Sequence, residues 1–552
     1  MRRTEPPSTE LPQVRRLAPA LTLALVGGAA LVGGAALAGC PCKPCVTPPS
    51  RTFVDPEIAR LTPAQRRADL AFLQALLEQS YPHLAEKERR FRVHVPLVID
   101  AHRAAVMRAR NRYQYMNAVD RVLLAFHDGH LITRGYRRTF GRTYGASHPT
   151  DRPAKPRPRP VRVDVGLTLR YVQGQVAVVR VRPGSTSARA GVRPGDVILL
   201  VGNRPALSRM GASLRWRGWA RLAAGLQLAA SRVMIARPWY PDTPMPSERV
   251  LIQRGAQRLT LTLVGDRTPP RDKVHFGLRT LTCPGSSTGH GTGTGIRTGI
   301  RTGPRTHIRT VPRTRIRTGP RTRIRIRPRS RVGVLRVSTF SGPRKKLWKR
   351  LQGLLARARG LDALVLDLRG NRGGSQGLAH RLVARLIRRP VVAGEYRYLR
   401  TQVLARRVPV LGKLPADPRD TRWTTWQKDI IAPAPDGLGR PVAALVDEVC
   451  ASSCETVARA LSAAPGVKVY GRPTAGSSGL PVRVALPHSR LVVSLPSWQS
   501  RTASGRLIEG NGVAPQVPVP LRLAPLRAGR DVPLERAAAD LCKALASTGA
   551  PR

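Results

Sequence analysis

The spacing of apolar residues divides this chain into segments of different kinds. Across residues 61–146, apolar side chains such as Leu70, Leu73 and Leu77 recur at helical intervals, which predicts a helical N-terminal segment. Across residues 163–265, short strand-like runs alternate with Gly, Pro and Asp turns. A small β-rich domain is therefore expected to follow the helical segment.

From residue 332 onwards, strand and helix patterns alternate. Apolar, β-branched runs at 361–370 and 441–448 have the composition of buried strands, and helical patterns follow each of them. Such alternation favours an α/β fold with a mostly parallel sheet, whose functional site lies at the strand ends. We therefore expect an α/β core over residues 332–525 and a C-terminal helix within residues 526–552.

Charge changes this picture between residues 266 and 331. Units of I-R-T, G-P-R-T and R-I-R repeat there, and no acidic residue lies between Asp272 and Asp362. A segment of this composition repels itself and cannot bury a core, which predicts an Arg-rich, low-complexity linker. Binding of anionic polymers of the cell envelope is the alternative interpretation.

The formal net charge of the whole chain is +63. A charge of this size is compatible with anionic partners such as nucleic acid. Arginine is nevertheless spread through every segment, and aromatic residues are not interleaved with it. The sequence therefore predicts no specific nucleic-acid partner.

Residues 1–39 have the pattern of a secretory signal. Basic residues precede an apolar stretch that ends in Leu37-Ala38-Gly39-Cys40, and this ending resembles a bacterial lipobox. The resemblance implies lipidation of Cys40, a tether over residues 40–60 and a location on the periplasmic face of a bacterial membrane. An uncleaved membrane anchor is the alternative, because about 20 apolar residues can span a bilayer.

The other six cysteines lie in a compartment that permits disulfides, but their pairing cannot be read from the sequence. The C-P-C-K-P-C run at 40–45 lacks a second ligand pair at the spacing of a zinc site. We therefore predict no metal site and no cofactor.

Candidate chemistry is concentrated where the strand at 441–448 ends. Ser452 and Ser453 follow this strand and open a helical pattern, so a serine hydroxyl is expected at a helix N-terminus. Free N–H groups and the helix dipole stabilise negative charge that develops beside such a hydroxyl. The run from Ser452 to Glu455 also fits an ordinary capping box, which is the alternative interpretation.

The β-rich segment resembles a PDZ domain. Gly166, Leu167, Thr168 and Leu169 occupy the position of that family's carboxylate-binding loop, and Pro194-Gly195-Asp196 belongs to its most recognisable run. The resemblance implies that polypeptide C-termini are captured by strand addition at a sheet edge. A small barrel without a ligand is the alternative.

Four motifs in order resemble those of the tail-specific (C-terminal processing) serine peptidases, in the branch closer to tricorn-type proteases. They are Asp128-Gly129-His130, LDALVLDLRGNRGG, the run from Ser452 to Glu455, and the run around Glu509. The resemblance implies that Ser452 is the nucleophile, that His130 is its general base and that Glu509 supports the base. Ser477 stands where the larger branch of the family has a lysine base.

Gly373 and Gly374 follow the predicted strand at 361–370. Glycines at such a place let backbone N–H groups approach a substrate carbonyl, so these two and the Ser453 N–H are expected to form an oxyanion hole. A tight strand-to-helix turn explains the glycines equally well. The family pattern is broken at Gln516, where an aspartate is usual.

Together these features predict a lipid-anchored, extracytoplasmic serine endopeptidase that cleaves polypeptide substrates through an acyl-enzyme. The alternative is a catalytically inactive scaffold that retains peptide binding at the envelope. The two hypotheses differ in whether His130 serves as a base.

In a bacterial host, Cys40→Ala should block lipid attachment and signal removal at that site, because the Cys40 thiol is the predicted lipid acceptor. Labelling with a radioactive fatty acid measures the attachment, and Cys42→Ala is the matched control that should retain it. Labelling that is unchanged by Cys40→Ala would contradict the lipobox.

Overall fold

The computed structural model describes residues 56–136, 161–214, 222–231, 237–239, 245–267, 276–283 and 330–547. The predicted signal peptide, Cys40, nearly all of the tether and most of the Arg-rich stretch lie outside these residues. Among the described helices, none is both long and apolar enough to cross a membrane.

A layer of helices forms the N-terminal part of the described chain. Thr62 starts its longest helix with a capping box, in which Thr62 and Gln65 each accept a hydrogen bond from the other's N–H. Leu70, Leu73 and Leu77 are buried, as their spacing predicts. The elements are α1 (Pro56–Ala59), α2 (Pro63–Ser80), α3 (Leu84–Phe91), α4 (Val95–Met107), α5 (Arg112–Leu124) and the strand β1 (Ile132–Tyr136).

The β-rich domain contains a sheet in the order β3-β4-β5-β8-β9, so β3 lies at its edge. Gly166 precedes β3 with φ +79°, and a Cβ there would lie 2.3 Å from the Ser185 Cβ, so only glycine fits. The elements are β2 (Val161–Asp164), β3 (Leu167–Val172), β4 (Gln175–Val181), α6 (Thr186–Arg189), β5 (Val197–Val201), β6 (Arg204–Pro205), α7 (Ala206–Leu214), α8 (Leu222–Ala230), β7 (Arg237–Trp239), β8 (Ser247–Arg254), β9 (Gln257–Val264) and β10 (Asp266–Arg267).

The third part is an α/β core. Its elements are β11 (Phe276–Thr282), β12 (Arg331–Val337), α9 (Arg344–Ala358), β13 (Ala363–Asp367), α10 (Gln376–Ala384), β14 (Val391–Tyr398), α11 (Gln402–Ala405), a 3₁₀ turn (Pro409–Lys413), β15 (Ala416–Asp417), β16 (Asp420–Thr424), β17 (Gln427–Ile431), β18 (Val442–Val446), α12 (Ser453–Ala463), β19 (Lys468–Gly471), β20 (Val482–Ala485), β21 (Leu491–Leu495), β22 (Trp498–Arg501), β23 (Val517–Pro518), α13 (Leu523–Arg527) and α14 (Val532–Ser547).

Six strands of the core form one sheet in the order β11-β12-β13-β18-β19-β23. Only β11 runs antiparallel to its neighbour; the other pairs are parallel. Every residue of β13 and β18 is buried, which explains why their sequences are apolar without alternation. The predicted α/β class is thus confirmed, and α12 begins at Ser453, where the sequence predicts the start of a helix.

Two of the predicted boundaries need correction. β11, which falls in the predicted linker 266–331, pairs along its whole length with β12 and covers the edge of the core sheet. β1, which falls in the predicted helical segment, pairs antiparallel with β21 of the core. Both errors have the same cause. A short strand at a sheet edge is defined by its pairing with a neighbouring strand, and its own sequence does not have a distinctive apolar pattern.

Two disulfides join described cysteines. Cys283, directly after β11, is bonded to Cys542 in α14 and ties the edge strand to the C-terminal helix. Cys450 and Cys454 are bonded to each other on either side of Ser452. Both Cys450 and Cys454 are fully buried in the main core cluster, so this bond closes the turn that carries the candidate nucleophile.

Candidate active site

Ser452 lies in the turn between β18 and α12 and has φ +58° and ψ −127°. This is a sparsely populated conformation for a residue with a side chain, so surrounding contacts must hold it. The Ser452 N–H is 3.0 Å from the Ser477 carbonyl and 3.1 Å from the Glu455 carboxylate. A strained strand-to-helix turn of this kind presents the serine nucleophile in α/β-hydrolases.

The two adjacent serines have different surroundings. Both line a cavity of about 90 Å³, but Ser452 is partly exposed. Ser453 is 2% exposed, and its Oγ has no hydrogen-bond partner among the described residues. The geometry therefore favours Ser452 as the hydroxyl that a substrate reaches.

Gly373 and Gly374 lie against this turn, as the sequence predicts. A Cβ at Gly373 would lie 2.6 Å from the Ala451 carbonyl oxygen, and a Cβ at Gly374 would lie 2.2 Å from the Phe340 carbonyl carbon. Both glycines have positive φ, so side chains are excluded by space and by conformation.

The predicted set of oxyanion donors needs one correction. The Gly373 N–H donates to the Asn371 side-chain oxygen at 2.8 Å and is therefore not available to a substrate. Within the described part of the chain, the N–H groups of Gly374 and Ser453 donate to no other group. These two remain as candidate donors. The Ser453 N–H lies in the first turn of α12, where the helix dipole also favours a negative charge.

Glu455 organises the loop that faces Ser452. Its buried carboxylate accepts hydrogen bonds from the Ser452 N–H, the Thr474 hydroxyl (2.5 Å), the Gly476 N–H (2.8 Å) and the Ser477 N–H (2.9 Å). Burial raises the pKa of Glu455, although all four bonds favour its charged form. The capping interaction is therefore real, but it also connects α12 to a second loop.

His130 lies in the loop between α5 and β1 and is 8% exposed. Its Nδ1 is 3.2 Å from the Ser477 Oγ. The Ser477 carbonyl accepts the Ser452 N–H, and the Ser477 N–H donates to the same Glu455 carboxylate as Ser452 does. Among the described hydrogen bonds there is none between His130 and Ser452 themselves. The structure thus brings the predicted base to the loop beside the predicted nucleophile, with Ser477 as the linking residue.

Burial lowers the pKa of His130, and the neighbouring Asp128 opposes this effect only in part. The imidazole is therefore neutral at neutral pH, as a general base must be. Asp128 accepts a hydrogen bond from the His130 backbone N–H at 2.7 Å, and its Oδ1 is 4.0 Å from His130 Nδ1. Asp128 also accepts a bond from the Tyr81 hydroxyl at 2.9 Å.

Glu509 does not contact His130 directly, contrary to the simplest form of the prediction. One carboxylate oxygen accepts from Lys87 Nζ at 2.6 Å and the other from the Ser478 N–H at 2.9 Å. Glu509 therefore supports the loop that contains Ser477 and Ser478, whereas Asp128 is the carboxylate beside the imidazole. Burial and the charge of Asp128 raise the pKa of Glu509, and Lys87 opposes them.

Lys87 is a site residue that the sequence analysis missed. It lies in α3, whose sequence LAEKERRF is typical of a solvated helix, yet its side chain is 1% exposed. Besides Glu509, its Nζ contacts the His127 carbonyl at 3.1 Å. No local pattern separates this lysine from its charged neighbours, because its burial results from contact with segments far away in the chain.

His83, Asp128 and Glu509 could together offer three metal ligands within 4.8 Å of one another. The donor atoms are, however, already engaged: Lys87 supplies a positive charge to Glu509, and Tyr81 donates to Asp128. Burial lowers the pKa of His83 to about 4. The cluster is therefore better described as two buried carboxyl groups, Asp128 and Glu509, whose negative charge is balanced by Lys87, than as a metal site.

The loop predicted to bind peptide carboxylates lies at the start of the edge strand β3. The Gly166 N–H donates to Asp164, so it is not free for a ligand. Farther along β3, the Gln227 amide in α8 bonds to both the N–H and the carbonyl of Tyr171, at 2.9 and 2.8 Å. A peptide that added to β3 at this point would have to displace Gln227.

Comparisons with known proteins bear on this arrangement. Residues 331–519 match the model of Peptidase family S41. The structure of mature CPAF complexed with lactacystin is similar, with a TM-score of 0.58 and 16% identity over 87% of this chain and 99% of that one. The crystal structure of mature CPAF gives a TM-score of 0.58 and 16% identity over 88% and 98%.

A lower similarity links the chain to the photosystem II D1 C-terminal processing protease, with a TM-score of 0.43 and 17% identity over 83% of this chain and 94% of that one. No curated protein sequence matches the chain. The chain is a serine-type peptidase. The family match covers residues 331–519, which lie in its α/β core.

Lys87→Met should lower the free energy of unfolding by about 3–5 kcal/mol at pH 7, because it leaves two buried carboxyl groups without their cation. Urea unfolding measures the change. Lys345→Met, at an exposed position of α9, is the matched control and should change stability by no more than about 0.5 kcal/mol. Adding Glu509→Gln to Lys87→Met should restore part of the lost stability. Equal stability of Lys87→Met and Lys345→Met would contradict a role for the buried pair of Lys87 and Glu509.

Proposed function

We propose that this chain is a lipid-anchored, extracytoplasmic serine endopeptidase, in which Ser452 attacks the scissile carbonyl and His130 receives its proton. The observation that carries the proposal is the strained Ser452 turn, which places one partly exposed hydroxyl beside two uncommitted backbone donors. The S41 domain supports the same chemistry.

In the proposed reaction, the Ser452 Oγ bonds to the carbonyl carbon of the substrate while its proton passes to the His130 imidazole. The N–H groups of Gly374 and Ser453 stabilise the oxyanion, each contributing about 3 kcal/mol by analogy with measured oxyanion holes. His130 then gives the proton to the leaving amine, and the acyl-enzyme remains on Ser452. A water molecule, deprotonated by His130, releases the acid product and restores the serine.

Ser477 is assigned the task of orienting the base. Its hydroxyl faces His130 Nδ1, so an Nδ1–H that donates to Ser477 leaves Nε2 as the proton acceptor. Asp128 beside the ring favours the imidazolium that forms during the reaction. Lys87 and Glu509 hold the loop that contains Ser477 and act through it.

Cys40 is proposed as the lipid attachment site on the periplasmic face of a bacterial membrane, and residues 163–265 are proposed to capture polypeptide C-termini. The edge position of β3 supports strand addition, provided that Gln227 is displaced. Anionic envelope polymers are proposed as further partners of the Arg-rich stretch.

Ser452→Ala should reduce hydrolysis of a denatured protein substrate by at least about 10³-fold, because the nucleophile is lost. Ser453→Ala is the matched control: its buried hydroxyl is not used, and its N–H is kept, so activity should stay within about threefold. Gel-based cleavage assays and labelling by a fluorophosphonate probe measure both. An inactive Ser453→Ala with an active Ser452→Ala would show that the wrong hydroxyl was chosen.

His130→Ala should lower kcat by about 10²- to 10⁴-fold, whereas His488→Ala, at an exposed position, should not. The pH profile of kcat/KM should fall on acidification with a midpoint below 6.5, because the pKa of His130 is lowered and the base is lost only when the imidazole becomes protonated. A midpoint above 6.5, or full activity of His130→Ala, would contradict the proposed base. Peptide binding without any turnover by the unmodified chain would favour the inactive scaffold.

A further inference from the structure

A second cavity, far larger than the one at Ser452, lies between the β-rich domain and the core. Its volume is about 510 Å³. Its lining comes from β3 and β4, from β11 and β12, and from the segment around α13. Its floor includes Asp367 and Asp447, at the carboxyl ends of β13 and β18, where α/β sheets commonly bind ligands.

The lining of this cavity is strongly cationic. It includes eight arginines but only three aspartates, so the lining carries five positive charges in excess. The aspartates are already engaged with neighbours. Asp367 is paired with Arg369 (2.8 Å) and Arg336 (3.2 Å), Asp531 with Arg369 (2.7 Å), and Asp447 accepts the Gly370 N–H at 2.9 Å.

Arg180 is the clearest case of an uncompensated guanidinium in this cavity. Within the described part of the chain its guanidinium has no hydrogen-bond acceptor and no salt bridge, and the residue lines the cavity. Burial and the neighbouring Arg336, Arg170 and Arg369 lower its pKa to about 10, while Asp367 acts in the opposite direction. The Arg180 guanidinium is still charged at neutral pH. It therefore repels the positive charges of the arginines around it.

Arg336 adds a second unmet requirement. Its Nη1 is paired with Asp367, but its Nε is buried and has no partner among the described residues. A buried donor without an acceptor is unfavourable. Arg180 thus has no acceptor among the described residues, and Arg336, which lines the same cavity, has one only for its Nη1.

The kind of ligand follows from the geometry of the side chains. A guanidinium presents a planar fork of donors that matches the oxygens of phosphate and carboxylate groups. The volume is large enough for a small organic anion with two or three such groups. We propose that this cavity is a binding site for a small polyvalent oxyanion, phosphate or carboxylate, held between the β-rich domain and the peptidase core.

Isothermal titration calorimetry of the full chain with inorganic pyrophosphate and, separately, with citrate tests the proposal at a constant ionic strength of about 0.15 M. Saturable binding with a Kd below about 1 mM is expected for at least one of them, and the tighter of the two identifies phosphate or carboxylate as the preferred group. The measurement does not depend on peptidase activity, so a failure of the proposed catalytic residues would leave it unaffected.

Arg180→Gln should weaken this binding by about 10- to 100-fold, because it removes a charged donor. Arg180→Lys keeps the charge but loses the fork, so its affinity should lie between those of Arg180→Gln and the unmodified chain. Arg258→Gln, at an exposed position of β9 outside the cavity, is the matched control and should bind normally. Without ligand, the Tm of Arg180→Gln should be unchanged or higher, since the substitution relieves repulsion.

Several results would overturn the site. Absence of saturable heat with both anions would do so, as would equal weakening by Arg258→Gln, which would indicate general attraction to a highly charged protein. A lower Tm of Arg180→Gln together with unchanged binding would show that Arg180 has a structural role instead.

Discussion

The rest of the candidate site depends on the hydrogen bonds that the buried Glu455 carboxylate accepts. It accepts four hydrogen bonds, one from the Ser452 turn and three from the loop that contains Thr474 and Ser477. A buried charge is tolerable only when it is so satisfied, and this requirement fixes the two segments relative to each other. Because Ser477 in turn meets His130, one carboxylate positions both the strained nucleophile turn and the residue that faces the base.

A second group of buried charges joins the N-terminal helices to the core. Lys87 comes from α3, Asp128 from the loop after α5, and Glu509 from the C-terminal part of the core. Removing one partner of such a pair is costly, although the pair itself contributes little net stability. The N-terminal helices therefore contribute buried charged residues to the candidate site.

Much of the fold could be predicted from local patterns. The buried strands β13 and β18, the helix that starts at Ser453 and the glycines at 373 and 374 all appear where the sequence indicates them. These features depend on the spacing and type of neighbouring residues, which a sequence displays directly. The edge strands β1 and β11 could not be predicted, because each is stabilised by a partner strand far away in the chain.

By itself, the sequence determined the α/β class and the serine at a helix N-terminus, since periodicity and capping patterns are local properties. The candidate residues Ser452 and His130 came from the resemblance of its motifs to those of the tail-specific serine peptidases. Only the tertiary structure decided which groups have partners. It assigns the Gly373 N–H to Asn371 and brings arginines of the β-rich domain and of the core to one cavity. Such contacts join residues that are distant in the chain, and their energies depend on burial that no local pattern encodes.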